Sequence, residues 1–311
     1  MLKIPPWFHQ TTPVFVYGTL LWNRSNHLLL EGATTLGDGT LSGYALRDLG
    51  AYPAAVGSPG DSIRGQVYLV DEEMLRALDR LEGEGSLYDR RTCTVRLTSG
   101  QDLESQVYVF GQGMSLSDYP LVPLDRQPWG RSAGKEDLIW YAAYGSNLLE
   151  ERLRCYLEDR VFDQAYLNEM KGYAPSHRIT KGYVFHGQLY FAEHGRNWEH
   201  KGVAFLDLER LGFTLGRVYL LHREEYRKVL LGENGGRIPE VGKGWYDLEA
   251  DLGTLDGIPV RTITSSRRRV QNDPSTLYEE VIAQGLREAH PSLGKEGIRT
   301  YLLERRAAHG R

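Results

Sequence analysis

The sequence repeats a short motif, and this repeat constrains the fold more than any other feature. Phe15-Val16-Tyr17-Gly18-Thr19-Leu20 has a second copy in Ala142-Ala143-Tyr144-Gly145-Ser146-Asn147-Leu148, 127 positions later. In each copy an apolar run leads into Tyr-Gly, which is typical of a buried strand that ends at a tight turn, because glycine allows the turn without a Cβ penalty. Such a turn aims consecutive backbone N–H groups into one concavity, a nest that suits a carboxylate or an oxyanion.

A second repeat follows the first in the same order. Gly65-Gln66-Val67-Tyr68-Leu69 is echoed by Gly216-Arg217-Val218-Tyr219-Leu220, and in both copies a glutamate lies seventeen residues beyond the first glycine, Glu82 and Glu233. Two ordered matches of this kind indicate a duplicated domain, and the period is far too long for a solenoid. The sequence therefore predicts two related domains in one chain.

The bulk composition agrees with this organisation and excludes some functions. The chain has 311 residues, enough for two domains that each bury a core, with 41% hydrophobic and 25% charged residues. A formal net charge of −4 gives no electrostatic reason to expect nucleic acid as a partner. The basic run Arg267–Arg269 is interpreted as a solvated loop, with a phosphate or nucleic-acid patch as the alternative.

Cysteine and histidine patterns indicate neither a disulfide framework nor a metal site. Cys93 and Cys155 are the only two cysteines and fall in different predicted domains. The spacing of His186, His194 and His200 suits no familiar ligand pair. No apolar run approaches the ~20 residues that cross a bilayer, and the first residues lack the apolar core of a signal peptide. We expect a cytoplasmic protein with no membrane partner, no metal and no cofactor.

Breaks in the hydrophobic pattern predict the domain limits. We expect an N-terminal arm over 1–12, a first domain over 13–112, a linker rich in Pro and Gly over 113–137, and a second domain over 138–311. In the first domain we predict a short helix over Asn23–Glu31, short β segments such as Thr40–Leu46, a turn over Ser58–Asp61 and paired strands over Tyr88–Leu97 and Gln106–Phe110. In the second we predict aromatic β segments within 170–206, strands near Trp245–Ala250 and Ile258–Ile263, and helices from about Arg223 to Leu231, from Pro274, and near Lys295–Arg306.

The element before Gly83 carries the most chemical information. Asp71 can cap a helix with an apolar face formed by Met74, Leu75, Leu78 and Leu81, and Gly83 should end it. Glu82 then lies at the negative end of the helix dipole, where burial would raise its pKa further. Two readings stay open, a surface glutamate and a pocket glutamate that exchanges protons near neutral pH. Glu84, two residues on, is an alternative candidate for the base.

These motifs together resemble a known family. The turn Tyr144-Gly145-Ser146-Asn147-Leu148, the Gly216–Tyr219 segment and Glu233 resemble the γ-glutamylcyclotransferase pattern, and Pro274–Leu286 resembles that family's C-terminal helix. Tyr17-Gly18-Thr19-Leu20 and Leu78-Asp79-Arg80-Leu81-Glu82-Gly83 resemble the shorter γ-glutamylamine cyclotransferase (AIG2-like) branch, whose usual tyrosine after the glutamate is matched by Tyr88. The resemblance implies an α+β chain of two tandem γ-glutamylcyclotransferase-like domains, each a small mixed β-barrel with flanking helices.

The resemblance also implies the chemistry. In this family the α-amine of a γ-glutamyl group attacks its own γ-carbonyl and releases 5-oxoproline and a free amine. By that transfer Glu82 would move the protons, while the N–H groups of Gly18, Thr19 and Leu20 would hold the carboxylate or oxyanion and Tyr17 and Tyr88 would line the pocket. In the second domain Glu233 would be the base, and the substrate-binding residues would be Tyr144, Gly145, Ser146, Asn147 and Leu148. Glu233 departs from the family pattern, since Asn234 rather than glycine follows it.

Three functions remain open at this point. The leading hypothesis is an enzyme that cyclises a small-molecule γ-glutamyl substrate, which both glutamates favour. The second is a tandem small-molecule binding protein with chemistry lost in one or both copies, and the third is a scaffold in which one domain only stabilises the other. The identity of the leaving amine and the oligomeric state have no signature in the sequence.

Overall fold

The computed structural model describes residue 8 and residues 10–22, 24–111, 116–129, 137–158 and 179–307. It divides into two compact units, one formed by Met1–Lys135 with Gly253–Ile258 and the other by Glu136–Leu252 with Pro259–Arg311. Most of the predicted N-terminal arm, both ends of the predicted linker and the start of the predicted β segments within 170–206 lie outside the described residues. No helix in the described part of the chain is both long enough and apolar enough to span a bilayer.

The first unit is a closed barrel of five strands: β1 (Thr12–Val16), β2 (Thr34–Asp48), β3 (Pro53–Val70), β4 (Tyr88–Leu97) and β5 (Asp102–Phe110). The strands follow the order β2-β3-β1-β5-β4, and a further pairing between β2 and β4 closes the barrel. Strands β1 and β5 are parallel, whereas the other pairs are antiparallel. This unit is therefore the predicted mixed barrel. A helix, α1 (Glu72–Glu82), and a 3₁₀ turn (His27–Leu30) flank it, the latter shorter than the predicted helix.

Helix α1 begins and ends where its local signals predict. The Asp71 carboxylate accepts a hydrogen bond from the Met74 N–H at 2.8 Å, and Gly83 ends the helix in the left-handed conformation with φ 60°. Leu78 is fully buried in the same apolar cluster as residues of β1 and β3. This packing fixes the helix against the barrel and brings its last residue, Glu82, to the end of β1.

Strands β2 and β3 are longer than the short β segments predicted from the sequence. Gly37 and Gly43 have positive φ, but they lie at register shifts within one continuous strand rather than at turns between separate segments. Positive φ serves a β-bulge as well as a turn, so the pattern alone does not separate the two. The predicted turn over Ser58–Asp61 is an unpaired stretch within β3, between the paired residues Gly57 and Ser62.

The described part of the predicted linker packs against the first unit. The Gln127 side chain is almost fully buried. It accepts a hydrogen bond from the Arg64 N–H at 2.8 Å and donates one to the Val122 carbonyl at 2.8 Å. Residues 116–129 are therefore held by β3, with a single 3₁₀ turn over Leu124–Arg126.

Among the described residues, seven strands lie wholly or mostly in the second unit: β6 (Leu138–Ala143), β7 (Thr180–His186), β8 (Gln188–Gly195), β9 (Lys201–Asp207), β10 (Phe213–His222), β11 (Leu248–Leu255) and β12 (Ile258–Thr264). Its helices are α2 (Glu150–Leu157), α3 (Arg223–Glu233), α4 (Thr276–Ala289) and α5 (Gly294–Ala307). Strands β8 and β9 pair only with each other, as a separate hairpin. The predicted helix at Pro274 begins at Thr276, because the Ser275 side chain caps it by accepting from the Tyr278 N–H.

The strand order in the second unit is β7-β10-β6-β12-β11, which matches β2-β3-β1-β5-β4 in the first. In each unit the strand that leads into the Tyr-Gly motif pairs antiparallel on one side and parallel on the other. The register also agrees, since Val16 lies opposite Gln66 and Ala143 opposite Arg217, each one residue after the repeated glycine. A Cβ on Gly65 would lie 2.2 Å from the Val16 carbonyl oxygen, and one on Gly216 2.9 Å from that of Ala143. The repeated glycines are thus explained by the same close approach of two strands.

Candidate active site

The first unit has a cavity of about 210 Å³ at the point where β1 ends and α1 ends. All six residues that the sequence places in the first site line it: Tyr17, Gly18, Thr19, Leu20, Glu82 and Tyr88. We call this the Glu82 site. Among the described residues that line it, Glu82 is the one carboxylate and none is basic.

Burial raises the pKa of the Glu82 carboxyl from 4.5 to about 7. The cause is loss of hydration, since no cation lines the cavity to stabilise the charged form. The position at the C-terminal end of α1, where the helix dipole is negative, acts in the same direction. Glu82 therefore exchanges a proton readily near neutral pH.

Glu84, the alternative candidate, lies elsewhere. Its side chain is exposed, does not line the cavity, and accepts a hydrogen bond from the Arg90 N–H at 3.2 Å. The left-handed conformation of Gly83 turns the chain between the two glutamates and separates their directions. Of the two glutamates, Glu82 is the one that faces the cavity.

The turn Tyr17–Leu20, which we call the Gly18 turn, forms the wall of the cavity that carries backbone N–H groups. It is held in place by hydrogen bonds from the Leu21 N–H to the Gly18 carbonyl and from the Asn26 N–H to the Thr19 carbonyl, both at 3.0 Å. In the described part of the chain, the amides of Gly18, Thr19 and Leu20 donate to no backbone carbonyl. These N–H groups can therefore serve a ligand.

The reason for glycine at position 18 differs from the sequence-based expectation. Gly18 does not have positive φ; instead, a Cβ there would lie 2.8 Å from Pro53 Cγ. In the second unit Gly145 has φ −111°, and a Cβ would lie 3.0 Å from the Tyr278 hydroxyl and 3.1 Å from Ala204 Cβ. Both glycines are needed for close packing rather than for a left-handed backbone.

Tyrosines form the rest of the wall and are fixed by the barrel. The Tyr17 hydroxyl donates to the Tyr108 carbonyl at 2.5 Å and accepts from the Ala55 N–H, while the Tyr88 hydroxyl donates to the Pro53 carbonyl at 3.0 Å. Burial raises the pKa of both Tyr17 and Tyr88 above 10, with a further contribution from the nearby Glu82. Both phenols therefore stay neutral near pH 7. Tyr108 is a lining residue that the sequence analysis missed, because the parallel pairing of β5 with β1 brings it to the site.

The second unit has a much smaller cavity, about 30 Å³, at the matching position. It is lined by the predicted residues Tyr144, Gly145, Ser146, Asn147 and Glu233 and by residues that the sequence analysis missed, Tyr141, Ala204, Tyr246, Ile263 and Tyr278. We call this the Glu233 site. Leu148, also predicted to bind substrate, does not line this cavity, and its side chain is fully buried.

The Glu233 carboxylate is held directly by side chains. It accepts a hydrogen bond from Asn147 Nδ2 at 2.7 Å, and it interacts electrostatically with Tyr156. The same Asn147 nitrogen also donates to the Tyr141 hydroxyl at 2.9 Å. Arg152, which hydrogen-bonds Tyr156, interacts electrostatically with Glu233. This carboxylate is therefore already bound by the protein.

The Tyr278 hydroxyl occupies the nest of the Glu233 site. It accepts a hydrogen bond from the Ala204 N–H at 3.0 Å, and it lies where a Cβ on Gly145 would come within 3.0 Å of it. Helix α4 brings it there, because a Cβ on Gly285 would lie only 2.4 Å from the Leu148 carbonyl carbon and its absence lets the helix approach. The remaining volume has room for one or two water molecules.

Within the described residues, no three His, Cys, Asp or Glu side chains converge as metal ligands. Neither Cys93 nor Cys155 forms a disulfide. Of the basic run, Arg269 is not solvated: it donates to the Gly244 carbonyl at 2.6 Å, and its side chain is 7% exposed.

Comparisons with known proteins find a family match within the first unit. The family model described as gamma-glutamyl cyclotransferase, AIG2-like matches residues 14–130. A Vibrio cholerae protein with a provisional gamma-glutamylcyclotransferase name is 50% identical over 80 residues, which are 25% of this chain and 69% of the relative. A Methanocaldococcus jannaschii protein with a similar provisional name is 33% identical over 108 residues, 33% of this chain and 88% of the relative. The crystal structure of an AIG2-like protein from Mus musculus aligns with 28% identity over 37% of this chain and 87% of its own, with a TM-score of 0.34. The chain belongs to the γ-glutamyl cyclotransferase, AIG2-like family.

Proposed function

We propose that the Glu82 site cyclises γ-glutamyl amides, releasing 5-oxoproline and a free amine. The observation that carries this proposal is the pairing of a half-buried carboxyl of pKa about 7 with the Gly18 turn in one cavity of about 210 Å³. A five-membered ring closes within the substrate, so a site that folds the substrate and moves its protons supplies what the reaction needs.

Glu82 carries the protons through the reaction. Its carboxylate accepts a proton from the α-ammonium, and the freed amine nitrogen attacks the γ-carbonyl carbon while the carbonyl electron pair moves to oxygen. Glu82 then passes the proton to the amide nitrogen as the old C–N bond breaks. The second proton of the ring nitrogen follows through Glu82 to the departing amine, which leaves as an ammonium ion. Glu82 returns to the carboxylate form, as an acid–base catalyst must.

The Gly18 turn stabilises negative charge during these steps. Its N–H groups are fixed before the substrate arrives, because the Leu21 and Asn26 N–H groups donate hydrogen bonds to carbonyls of the turn. Donors that need no reorganisation stabilise a developing oxyanion or the substrate carboxylate more strongly than water does. The neutral hydroxyls and rings of Tyr17 and Tyr88 would exclude water from the reacting atoms.

The pH dependence of the rate follows from the pKa of Glu82. The base must be ionised to accept the first proton, so kcat/KM is expected to rise with pH through about 7 and to fall about tenfold for each pH unit below it. Initial rates of 5-oxoproline release between pH 5 and 8.5 measure this profile. A flat profile across that range would contradict the role of Glu82 as the base.

We also propose that the two units arose by duplication and that the Glu233 site is not catalytic as it stands. The common strand order, the common register and the two Tyr-Gly motifs support the duplication. The small cavity, the hydrogen bond from Asn147 that already engages Glu233, and the Tyr278 hydroxyl packed against Gly145 support the loss of chemistry. A retained ligand pocket or a purely stabilising role are the alternatives for this unit.

The test is 5-oxoproline release from a panel of γ-glutamyl amides with alkylamine, amino-acid and peptide leaving groups. We expect Glu233→Gln to keep most of the turnover, because the Glu82 site has the larger cavity and the N–H groups of the Gly18 turn donate to no backbone carbonyl of the described residues. Loss of release in Glu233→Gln alone would reverse the assignment. No release from any member by the wild type would contradict the proposed enzyme and favour the binding module.

A further inference from the structure

The Glu82 carboxylate is aimed into the cavity without a hydrogen-bond donor of its own. Loss of hydration raises the pKa of the Glu82 carboxyl, and no described residue donates a hydrogen bond that would lower it. Glu233, in contrast, accepts a hydrogen bond from Asn147 at 2.7 Å. The position of Glu82 must therefore be set by the helix that carries it, α1, rather than by a contact to the carboxylate.

One hydrogen bond fastens the last turn of α1 to the barrel. The Tyr108 hydroxyl, on β5, donates to Asp79 Oδ1 at 2.6 Å. Asp79 precedes Glu82 by three residues, and its own carbonyl accepts the N–H groups of Gly83 and Glu84, which close the helix. Arg90 adds an ion pair to Asp79 at 3.4 Å. Asp79 does not line the cavity, whereas Tyr108 does.

Tyr108 also fixes the opposite wall of the site. Its carbonyl accepts the Tyr17 hydroxyl at 2.5 Å, and Tyr17 is the residue that opens the Gly18 turn. The side chain of Tyr108 thus holds the end of α1, while its backbone holds the residue before Gly18. A single residue sets the distance between the base and the N–H groups.

The second unit lacks a counterpart of the hydrogen-bonded pair Tyr108 and Asp79, and it holds its glutamate in a different way. The Tyr144 hydroxyl donates to the Ile263 carbonyl at 2.6 Å, so Ile263 stands where Tyr108 stands in the first unit. Leu230 precedes Glu233 by three residues, as Asp79 precedes Glu82. Ile263 and Leu230 belong to one buried apolar cluster. Where the polar pair is absent, Asn147 holds the glutamate, and its counterpart in the Gly18 turn is Leu20, whose side chain has no donor.

We propose that Asp79, through its hydrogen bond with Tyr108, is the positioning residue of the Glu82 site, holding the end of α1 so that Glu82 faces the Gly18 turn. The expected effect on the rate rests on the proposed function, whereas the expected effect on the position of Glu82 does not. A direct donor to the carboxylate would stabilise the charged form and lower its pKa. Holding the helix instead of the carboxylate positions the base and leaves it able to exchange protons near neutral pH.

The test compares Tyr108→Phe and Asp79→Ala with the wild type. Tyr108→Phe keeps the ring and the carbonyl that binds Tyr17, and removes only the bond to Asp79. We expect kcat for 5-oxoproline release to fall about 10–100-fold in each variant, since a small displacement of a catalytic group has an effect of this size, with little change in KM. The double variant should be no slower than Asp79→Ala, because Asp79→Ala already removes the hydrogen bond that Tyr108→Phe removes. Asp79→Asn, which keeps an acceptor oxygen, should restore most of the rate.

A second measurement does not depend on activity. Glutamate labelled with ¹³C at the side-chain carboxyl allows Glu82 to be titrated by NMR, its resonance being identified by its absence in Glu82→Gln. In Tyr108→Phe we expect the Glu82 pKa to fall from about 7 toward the ordinary glutamate value near 4.3, as the loosened helix end admits water. Tyr44→Phe, which removes a hydroxyl next to Cys93, is the matched control and should leave both readouts unchanged.

Several outcomes would overturn the inference. They are an unchanged Glu82 titration in Tyr108→Phe, additive losses in the double variant, or no rescue by Asp79→Asn. If the wild type releases no 5-oxoproline, the proposed function fails, while the titration still decides whether the Tyr108–Asp79 bond positions Glu82.

Discussion

Glu82→Gln is expected to lower kcat for 5-oxoproline release by about 10²–10⁴-fold, the range that general acid–base catalysis contributes. Glutamine keeps the volume of the side chain but cannot accept the proton of the α-ammonium. The N–H groups of the Gly18 turn remain, so substrate binding should change little. Binding of a non-reactive γ-glutamyl analogue by calorimetry, measured beside the rate, separates the loss of chemistry from the loss of the site.

The matched control is Glu84→Gln, two residues away on the same segment. Glu84 is exposed and lies outside the cavity, so the same chemical change there should leave kcat near the wild-type value. Equal losses in the two variants would indicate a general electrostatic or folding effect. Full activity in Glu82→Gln would remove Glu82 from the mechanism.

Gly65→Ala is expected to destabilise the first unit by about 3 kcal/mol or more, the upper end of the cost of overpacking. A Cβ there would lie 2.2 Å from the Val16 carbonyl oxygen and 2.7 Å from the Phe15 ring. The oxygen belongs to the backbone of β1, so rotating a side chain does not relieve that contact. Relief would require β1 and β3 to separate just before the Gly18 turn, and activity should be lost with the fold.

Gly57→Ala provides the control within the same strand. Gly57 also lies in β3, does not have positive φ, and a Cβ there would meet nothing within 4 Å. Urea unfolding followed by tryptophan fluorescence should show a lowered midpoint for the first unit in Gly65→Ala and a midpoint close to the wild type in Gly57→Ala. Similar midpoints in both variants would contradict the close approach of β1 and β3.

Local signals were sufficient to predict some elements from the sequence. The Asp71 cap, the apolar spacing through Leu78 and the Gly83 stop all lie within twelve residues of one another, and α1 begins and ends with them. The two Tyr-Gly motifs and the glutamates could likewise be paired by order and spacing alone. Each of these signals depends on neighbours along the chain, which a sequence displays directly.

Other features depended on contacts that a sequence does not display. Tyr108 reaches the Glu82 site because β5 pairs in parallel with β1, and Tyr278 reaches the Glu233 site on α4, more than 130 residues after Tyr144. The choice between Glu82 and Glu84 depended on the left-handed conformation of Gly83 and the direction it gives the chain. The second cavity is smaller because Tyr278 packs into it, and a comparison of motifs does not reveal this packing.

The most direct test of the proposed chemistry is the oxygen content of the product formed in H₂¹⁸O. Cyclisation joins two atoms of the substrate, so wild-type protein should yield 5-oxoproline without ¹⁸O and in equal amount to the released amine, and Glu82→Gln should yield almost none. Glutamate carrying one ¹⁸O would instead show that water attacks the γ-carbonyl. That product would contradict the account, because the site would then be a hydrolase.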